Sequence, residues 1–475
     1  MKANSVLWFI VLLIIGCESR TREENNFQIL IENVNIVDTR NGVIINAQDI
    51  GINAGLITKI APHDSVKNWS GTKTVEASGK YVIPGLWDMH VHFGGGDTLI
   101  TANKNLLPLY IANGVTMVRD CAADISPSVL AWKKQVASGR LLGPNIFTSG
   151  PKLEGKNSIW PGDLEIATES ELIQALDSLD RLQVDFVKVT DNALEPNLFL
   201  KSIQMATARG YMTSGHIPFE LTIEEASEAG QRTVEHMSYM LKAASAKEEI
   251  IVEQYKAGKL DGSDAQELLD ESIDREMALV KYSKLADNGT AVVPTLIGGR
   301  IISFLDENDH RDDTELQYLA PNFIKTYDWR INRANNASEE EVRKRKQRYR
   351  DMVSLLPLIQ KSGMDIIAGT DAGFLNSFIY PGFSLHDELQ IFVDGGLTPL
   401  EALRTSVVNG PKYFGLLDSY GSVEEGKVAD LLLLNSDPTK SIKATKDIFM
   451  VVQRKTAYDK EELDGILIKV AETYR

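Results

Sequence analysis

The chain is poor in several residue types, and each shortage closes off a class of answer. It has two cysteines in 475 residues, Cys17 and Cys121, too few for a disulfide framework. Basic residues are outnumbered, 50 Lys and Arg against 66 Asp and Glu, for a formal charge of -16. That balance disfavours nucleic acid and anionic membrane surfaces as partners, because phosphate binding needs clustered Lys and Arg. There is no low-complexity tract and no short internal repeat. The composition is otherwise that of a soluble globular protein, 43% hydrophobic and 24% charged, with disorder expected only at the ends. Its length suits one large domain with a satellite.

The N-terminus reads as an export signal. Lys2 is its basic region and Val6 to Ile15 its apolar one, about half of the ~20 residues a spanning helix needs. The run ends in Ile14-Ile15-Gly16-Cys17, which resembles a bacterial lipobox. Residues 1–17 are then a lipoprotein signal peptide and residues 18–26 a polar tether. Acylated Cys17 becomes the first mature residue and the only membrane contact. The expected location is the periplasmic or cell-surface side of a bacterial envelope. A plain secretory signal cut nearby is the alternative. With Cys17 acylated, Cys121 has no partner.

From Phe27 to about Thr74 the pattern is short alternating strands punctuated by Asn and Gly. A second such set follows Gly421, where GKVADLLLLNS reads as a turn feeding a buried strand. Neither set is large enough to cover a sheet alone. The economical arrangement pairs residues 27–81 with 416–460 as one small β-sandwich domain, with residues 82–415 inserted between.

That insertion alternates strand and helix. Eight strand-like runs can be read: YVIPGLWDMHVH, VTMVRDCA, NIFTSG, VDFVKVTD, YMTSGH, RTVEHM, AVVPTL and DIIAGTDA. Several intervening helices open on a capping box, Thr168 with Glu171, Thr222 with Glu225, Thr398 with Glu401. The pattern predicts an α/β fold, a (β/α)8 TIM barrel. Residues of about 241–276 and 301–351 are charged and helix-prone, and read as insertions that wall the pocket.

Histidine is scarce too, seven in all, yet two stand one residue apart in WDMHVHF. On a strand, residues i and i+2 share a face, so His90 and His92 point together into the barrel mouth and can bite one metal ion. His216, His236 and Asp371 end three further strands, where such barrels place their chemistry. Individually each has a plainer reading: a loop cap, a satisfied core histidine, a helix N-cap. His386 falls outside the strand-end pattern, and His63 and His310 read as surface residues. Lys188 lies among valines in DFVKVTD, sharing a face with Phe186 and Thr190. Burial disfavours a charged amine, and a neutral amine reacts with carbon dioxide to give an anionic carbamate. The alternative is a lysine that reaches solvent at the strand end.

HVH in PGLWDMHVHF, Lys188, His216, His236 and Asp371, framed by GKVADLLLL, resemble the amidohydrolase superfamily over almost the whole mature chain. VDFVKV, SGHIPF and TVEHMSYM are similar to its imidazolonepropionase-like branch, some of whose members are binuclear dipeptidases. The resemblance implies two divalent metal ions, zinc first with manganese or iron as alternatives. His90, His92 and Asp371 would hold one, His216 and His236 the other, and carbamylated Lys188 would bridge them. It implies hydrolysis of an amide or peptide bond by metal-activated hydroxide, with Asp371 as general acid–base, on a small molecule or short peptide. Arg119 and Tyr239 are candidates to receive a substrate carboxylate. Phe219 stands where deaminating relatives carry a polar residue after the strand-five histidine, which counts against deamination. A cyclic amidohydrolase, a lactonase or phosphotriesterase, and a non-catalytic binding protein are the alternatives. An oligomer remains open.

Overall fold

The computed structural model describes residues 25–475; the expected signal peptide and Cys17 lie outside them. Among the described residues no helix is long and apolar enough to cross a membrane.

The alternating N-terminal strands do pair with strands from the other chain end. Asn26–Val37 runs antiparallel to Ile44–Asn53 and parallel to Ser70–Glu76 and Tyr81–Pro84. Tyr81–Pro84 lies antiparallel to Asp430–Leu434, with Ile83 opposite Leu432. Ile448–Gln453 and Thr456–Asp459 complete the set. Hydrogen bonding runs unbroken through one eight-stranded mixed sheet, where the expected sandwich would have two separate sheets. The cause is Tyr81–Pro84, which pairs on both edges and joins the two halves.

The four consecutive leucines of Asp430–Leu434 explain how this sheet meets the rest of the molecule. Alternation along the strand sends Leu431 and Leu433 into a core with Ile29, Ile31 and Ile50. It sends Leu432 and Leu434 into the main core. A strand buried on both faces needs a continuous apolar run, which this segment has.

The middle of the chain is α/β and TIM-barrel-like. One parallel sheet orders Ala372–Gly373, Leu86–His92, Val115–Asp120 and Asn145–Thr148; another contains Val187–Val189, Thr213–Gly215, Thr233–Glu235 and Ala291–Val293. Backbone hydrogen bonds continue past their edges. Asp185 N–H donates to Thr148 O at 2.9 Å, Ile367 N–H to Val292 O at 2.9 Å, and Met89 N–H to Ala368 O at 2.9 Å. All three capping boxes form, and Ser338 with Glu341 and Asp459 with Glu462 add two more. The segments around 241–276 and 301–351 are helical, including Glu248–Lys256, Gly262–Glu271, Asp328–Asn335 and Glu339–Ser354.

Candidate metal centre

His90 and His92 leave the end of their strand on one face, their Nε2 atoms 3.2 Å apart. Asp371 arrives from the neighbouring chain segment, its N–H bonded to His90 O at 2.7 Å. Its Oδ1 lies 3.1 Å from His92 Nε2 and 3.4 Å from His90 Nε2. This close backbone approach depends on the glycines of AGTDAG. A Cβ on Gly369 would sit 2.8 Å from His90 N, and one on Gly373 would sit 2.6 Å from His92 O.

His216 and His236, from adjacent parallel strand ends, bring their Nε2 atoms to 3.0 Å. The rings of His90 and His236 are 5.0 Å apart, so the two groups are contiguous. His236 and Asp371 both have positive φ, 75° and 65°, strained positions for residues with a Cβ. Lys188 opens on the same cavity. It is buried, and its Nζ has no hydrogen-bond partner.

Every imidazole commits its other nitrogen. His90 Nδ1 meets Glu235 Oε2 at 2.7 Å and His92 Nδ1 meets Ala122 O at 3.4 Å. His216 Nδ1 meets Asp191 Oδ1 at 3.3 Å, and His236 Nδ1 meets Thr295 Oγ1 at 2.7 Å. Carboxylate and carbonyl oxygens only accept, so the proton of the first three rings belongs on Nδ1 and the lone pair on Nε2. Burial pushes His90 down to about 4, against the opposing pull of Glu235. Burial also lowers His216, helped by the positive charge of Lys188, and holds His236 well below its ordinary value. These three rings are therefore neutral near pH 7. Burial would raise the Asp371 carboxyl, but the hydrogen bond with His92 and the neighbouring imidazoles hold it well below the usual range.

The facing Nε2 lone pairs of His90 and His92, 3.2 Å apart, repel one another unless a cation sits between them. An all-nitrogen-and-oxygen donor set with an unpartnered buried amine fits divalent ions such as zinc, manganese or iron. A second possible grouping, His90 with Cys121 and Glu235, fits less well. Burial pushes the Cys121 thiol up to about 12, and Glu235 is already engaged.

Four sequence expectations need correction. Arg119 is no substrate receptor. It is fully buried beneath the site, pairs with Glu235 through two 2.8 Å contacts, and packs against the Phe186 and Tyr413 rings. Tyr239 donates to Asp191 Oδ2 at 2.8 Å and stacks on His216, so it braces a histidine and does not line the cavity. The helical segments form little of the wall: none of the lining residues comes from 241–276, and one, Arg330, comes from 301–351. Trp160, Pro161, Phe374 and Leu375 supply its apolar surface instead. His310, read as a surface residue, is half-buried, bonded to Asp313 at 2.8 Å and stacked on Phe378. His63 and His386 lie away from the site, on Asp49 and Thr445.

Glu235 is the functional residue that sequence reasoning missed. It is buried and accepts from His90, Arg119, Ser214 and Thr233. Burial opposes its charge, but Arg119 above all keeps it ionised, well below the ordinary range. An acid inside an apolar strand, directly before a candidate ligand, was the available signal.

Comparison with known proteins adds a family match and a shared fold. Residues 81–457 match the amidohydrolase family. Ochratoxinase of Aspergillus niger is 23% identical over 422 residues, covering 77% of this chain and 72% of that protein. A dihydroorotase of Trichlorobacter lovleyi is 39% identical over 195 residues, 40% of this chain and 42% of that protein. A bottromycin amidohydrolase structure superposes with a TM-score of 0.71 at 18% identity, covering 94% of this chain and 90% of that one. A Xaa-Pro dipeptidase with bound methionine in the active site gives 0.67 at 18% identity, covering 91% and 99%.

Proposed function

The chain belongs to the amidohydrolase family and is a hydrolytic enzyme, and from that premise we propose that it cleaves the amide bond of a dipeptide or N-acyl amino acid. The observation that carries the reading is the convergence of Nε2 atoms with Asp371 and the unpartnered Lys188 amine on one cavity. His90, His92 and Asp371 would hold one divalent ion, His216 and His236 a second, with Lys188 between them as its carbamate. Zinc is our first choice. Bound there, the ions supply a Lewis acid for the amide carbonyl and lower the pKa of water.

The chain's own groups do the rest. Asp371, ionised in this cavity, accepts a proton as water adds to the carbonyl carbon. It delivers that proton to the leaving nitrogen as the C–N bond breaks. Glu235, Asp191 and Thr295 keep the rings oriented throughout. The parallel strands would close into one ring of eight, so that all these groups share one mouth, and residues 27–81 with 416–460 would form the satellite. The proposed lipid anchor at Cys17 rests on sequence alone; equal membrane retention of Cys17→Ala would remove it.

The test is a hydrolysis screen. Metal-loaded protein prepared with bicarbonate is offered dipeptides and N-acyl amino acids, with released amino acid as readout. Turnover that vanishes in Lys188→Ala, together with loss of bound metal, supports the reading. Turnover confined to lactones or phosphotriesters overturns it.

A further inference from the structure

The helix Asp328–Asn335 carries two arginines three residues apart. Arg333 turns onto the Trp329 ring, 4.6 Å from its centroid. Arg330 turns the other way and lines the cavity together with Asp371, His216 and His236. Its Nε is buried, and no hydrogen bond or ion pair engages the guanidinium among the described residues.

Neighbouring cations are matched. Lys152, on the same cavity, has Asp163 at 3.3 Å and lies 5.2 Å from the Trp160 ring. Arg119 has Glu235. Lys188 is accounted for by the metal centre. Burial works against the charge on Arg330, and the Asp371 carboxylate works for it. A guanidinium kept partly out of water without an anion is costly, and a ligand anion removes the cost.

Its position is also set. Leu375 N–H donates to Thr326 Oγ1 at 2.9 Å, and Ser377 Oγ donates to Tyr327 O at 3.0 Å. Tyr327 lies edge-on to Phe378 at 5.6 Å. These contacts tie the start of the Arg330 helix to the segment that follows Asp371. The distance from guanidinium to reacting centre is therefore held by the fold.

We propose that Arg330 is the receptor for the substrate's carboxylate and so fixes the substrate class as acyl amino acids with a free carboxylate. This rests on the amide-hydrolase reading for the identity of the carboxylate as that of the amino acid released. The planar fork suits a carboxylate in two-point contact. The facing apolar wall of Trp160, Pro161, Phe374 and Leu375 suits an apolar side chain.

The experiment is calorimetric binding to the metal-loaded protein with 3-phenylpropanoate and its neutral isostere 3-phenylpropanamide, neither of which carries the bond to be cleaved. The wild type should bind the acid at least ~10-fold more tightly than the amide, the scale of one charge-assisted contact. Arg330→Met should abolish that preference, and Arg330→Lys, which keeps charge and loses the fork, should retain part of it. Circular dichroism establishes that each variant is folded; Arg330→Lys decides if Arg330→Met is not. A preference that survives in Arg330→Met, or no preference in the wild type, overturns the proposal, as does failure to bind either probe. Failure of the hydrolase reading looks different: the binding preference persists, but the wild type releases no amino acid from N-acetyl-phenylalanine.

Discussion

Glu235 accepts the Nδ1 proton of His90 at 2.7 Å while holding the Arg119 guanidinium at 2.8 Å on its other side. One buried carboxylate thus serves two purposes. It aims the His90 Nε2 lone pair at the candidate metal centre, and it neutralises a cation that packs beneath the strands.

Replacing Glu235 by Gln tests both. The amide keeps the shape but cannot match the charge of Arg119. We expect metal affinity to fall roughly 10–100-fold, as for other groups behind metal-bound histidines. We expect stability to fall by about 3–5 kcal/mol from the uncompensated buried cation. Chelator competition and urea denaturation read the two separately, and unchanged metal affinity would contradict the orienting role.

Asp371→Asn removes the proposed proton acceptor while keeping the side-chain volume. Turnover should drop at least ~10²-fold, the ordinary contribution of a positioned acid–base group. Steady-state hydrolysis of whichever amide the screen identifies is the measurement. A variant within about tenfold of wild type would sink the assignment.

Thr295→Val leaves His236 without its Nδ1 partner. Metal binding should weaken about tenfold, at the low end for such partners because the lost bond is to a hydroxyl. Metal retained per chain through graded dialysis shows it. Equal retention would mean that packing alone orients the ring.

Thr168→Ala breaks the capping box that Thr168 forms with Glu171 at the start of Glu169–Leu182. The expected cost is ~1 kcal/mol of stability with no change in turnover. A shift in activity without a shift in urea midpoint would be inconsistent with a purely structural cap.

His63 pairs with Asp49 at 2.8 Å, and that hydrogen bond raises the His63 pKa. The folded state then binds the proton more tightly than the unfolded chain. The pair's stabilisation is fully present below the ordinary histidine value of about 6.5. It disappears as pH rises through the raised folded value. His63→Gln should therefore lower the urea midpoint at pH 5.5 and leave it unchanged at pH 9.

The grouping of the candidate ligands was legible because it follows from local rules. The i, i+2 relation puts His90 and His92 on one face whatever surrounds them. Strand-end positions marked His216, His236 and Asp371 as a group, and the capping boxes could be read from three-residue spacings. Arg119 was misread because nothing local distinguishes a strand arginine that faces the cavity from one buried beneath it. Its partner, Glu235, is 116 residues away. The expected sandwich was likewise a matter of which strand edges meet, and Tyr81–Pro84 pairs at both edges.

The sequence by itself determined the chemistry on offer: four histidines and one carboxylate toward strand ends, and a lysine among valines. Tertiary structure decided which polar groups stand behind those donors and which cation faces the open space. Arg330 lies in a charged helical stretch that reads as an insertion walling the pocket, with nothing local to single this residue out. It became part of the cavity because Thr326 and Tyr327 bond to the segment after Asp371. Contacts of that kind join residues about fifty positions apart, and no local periodicity encodes them.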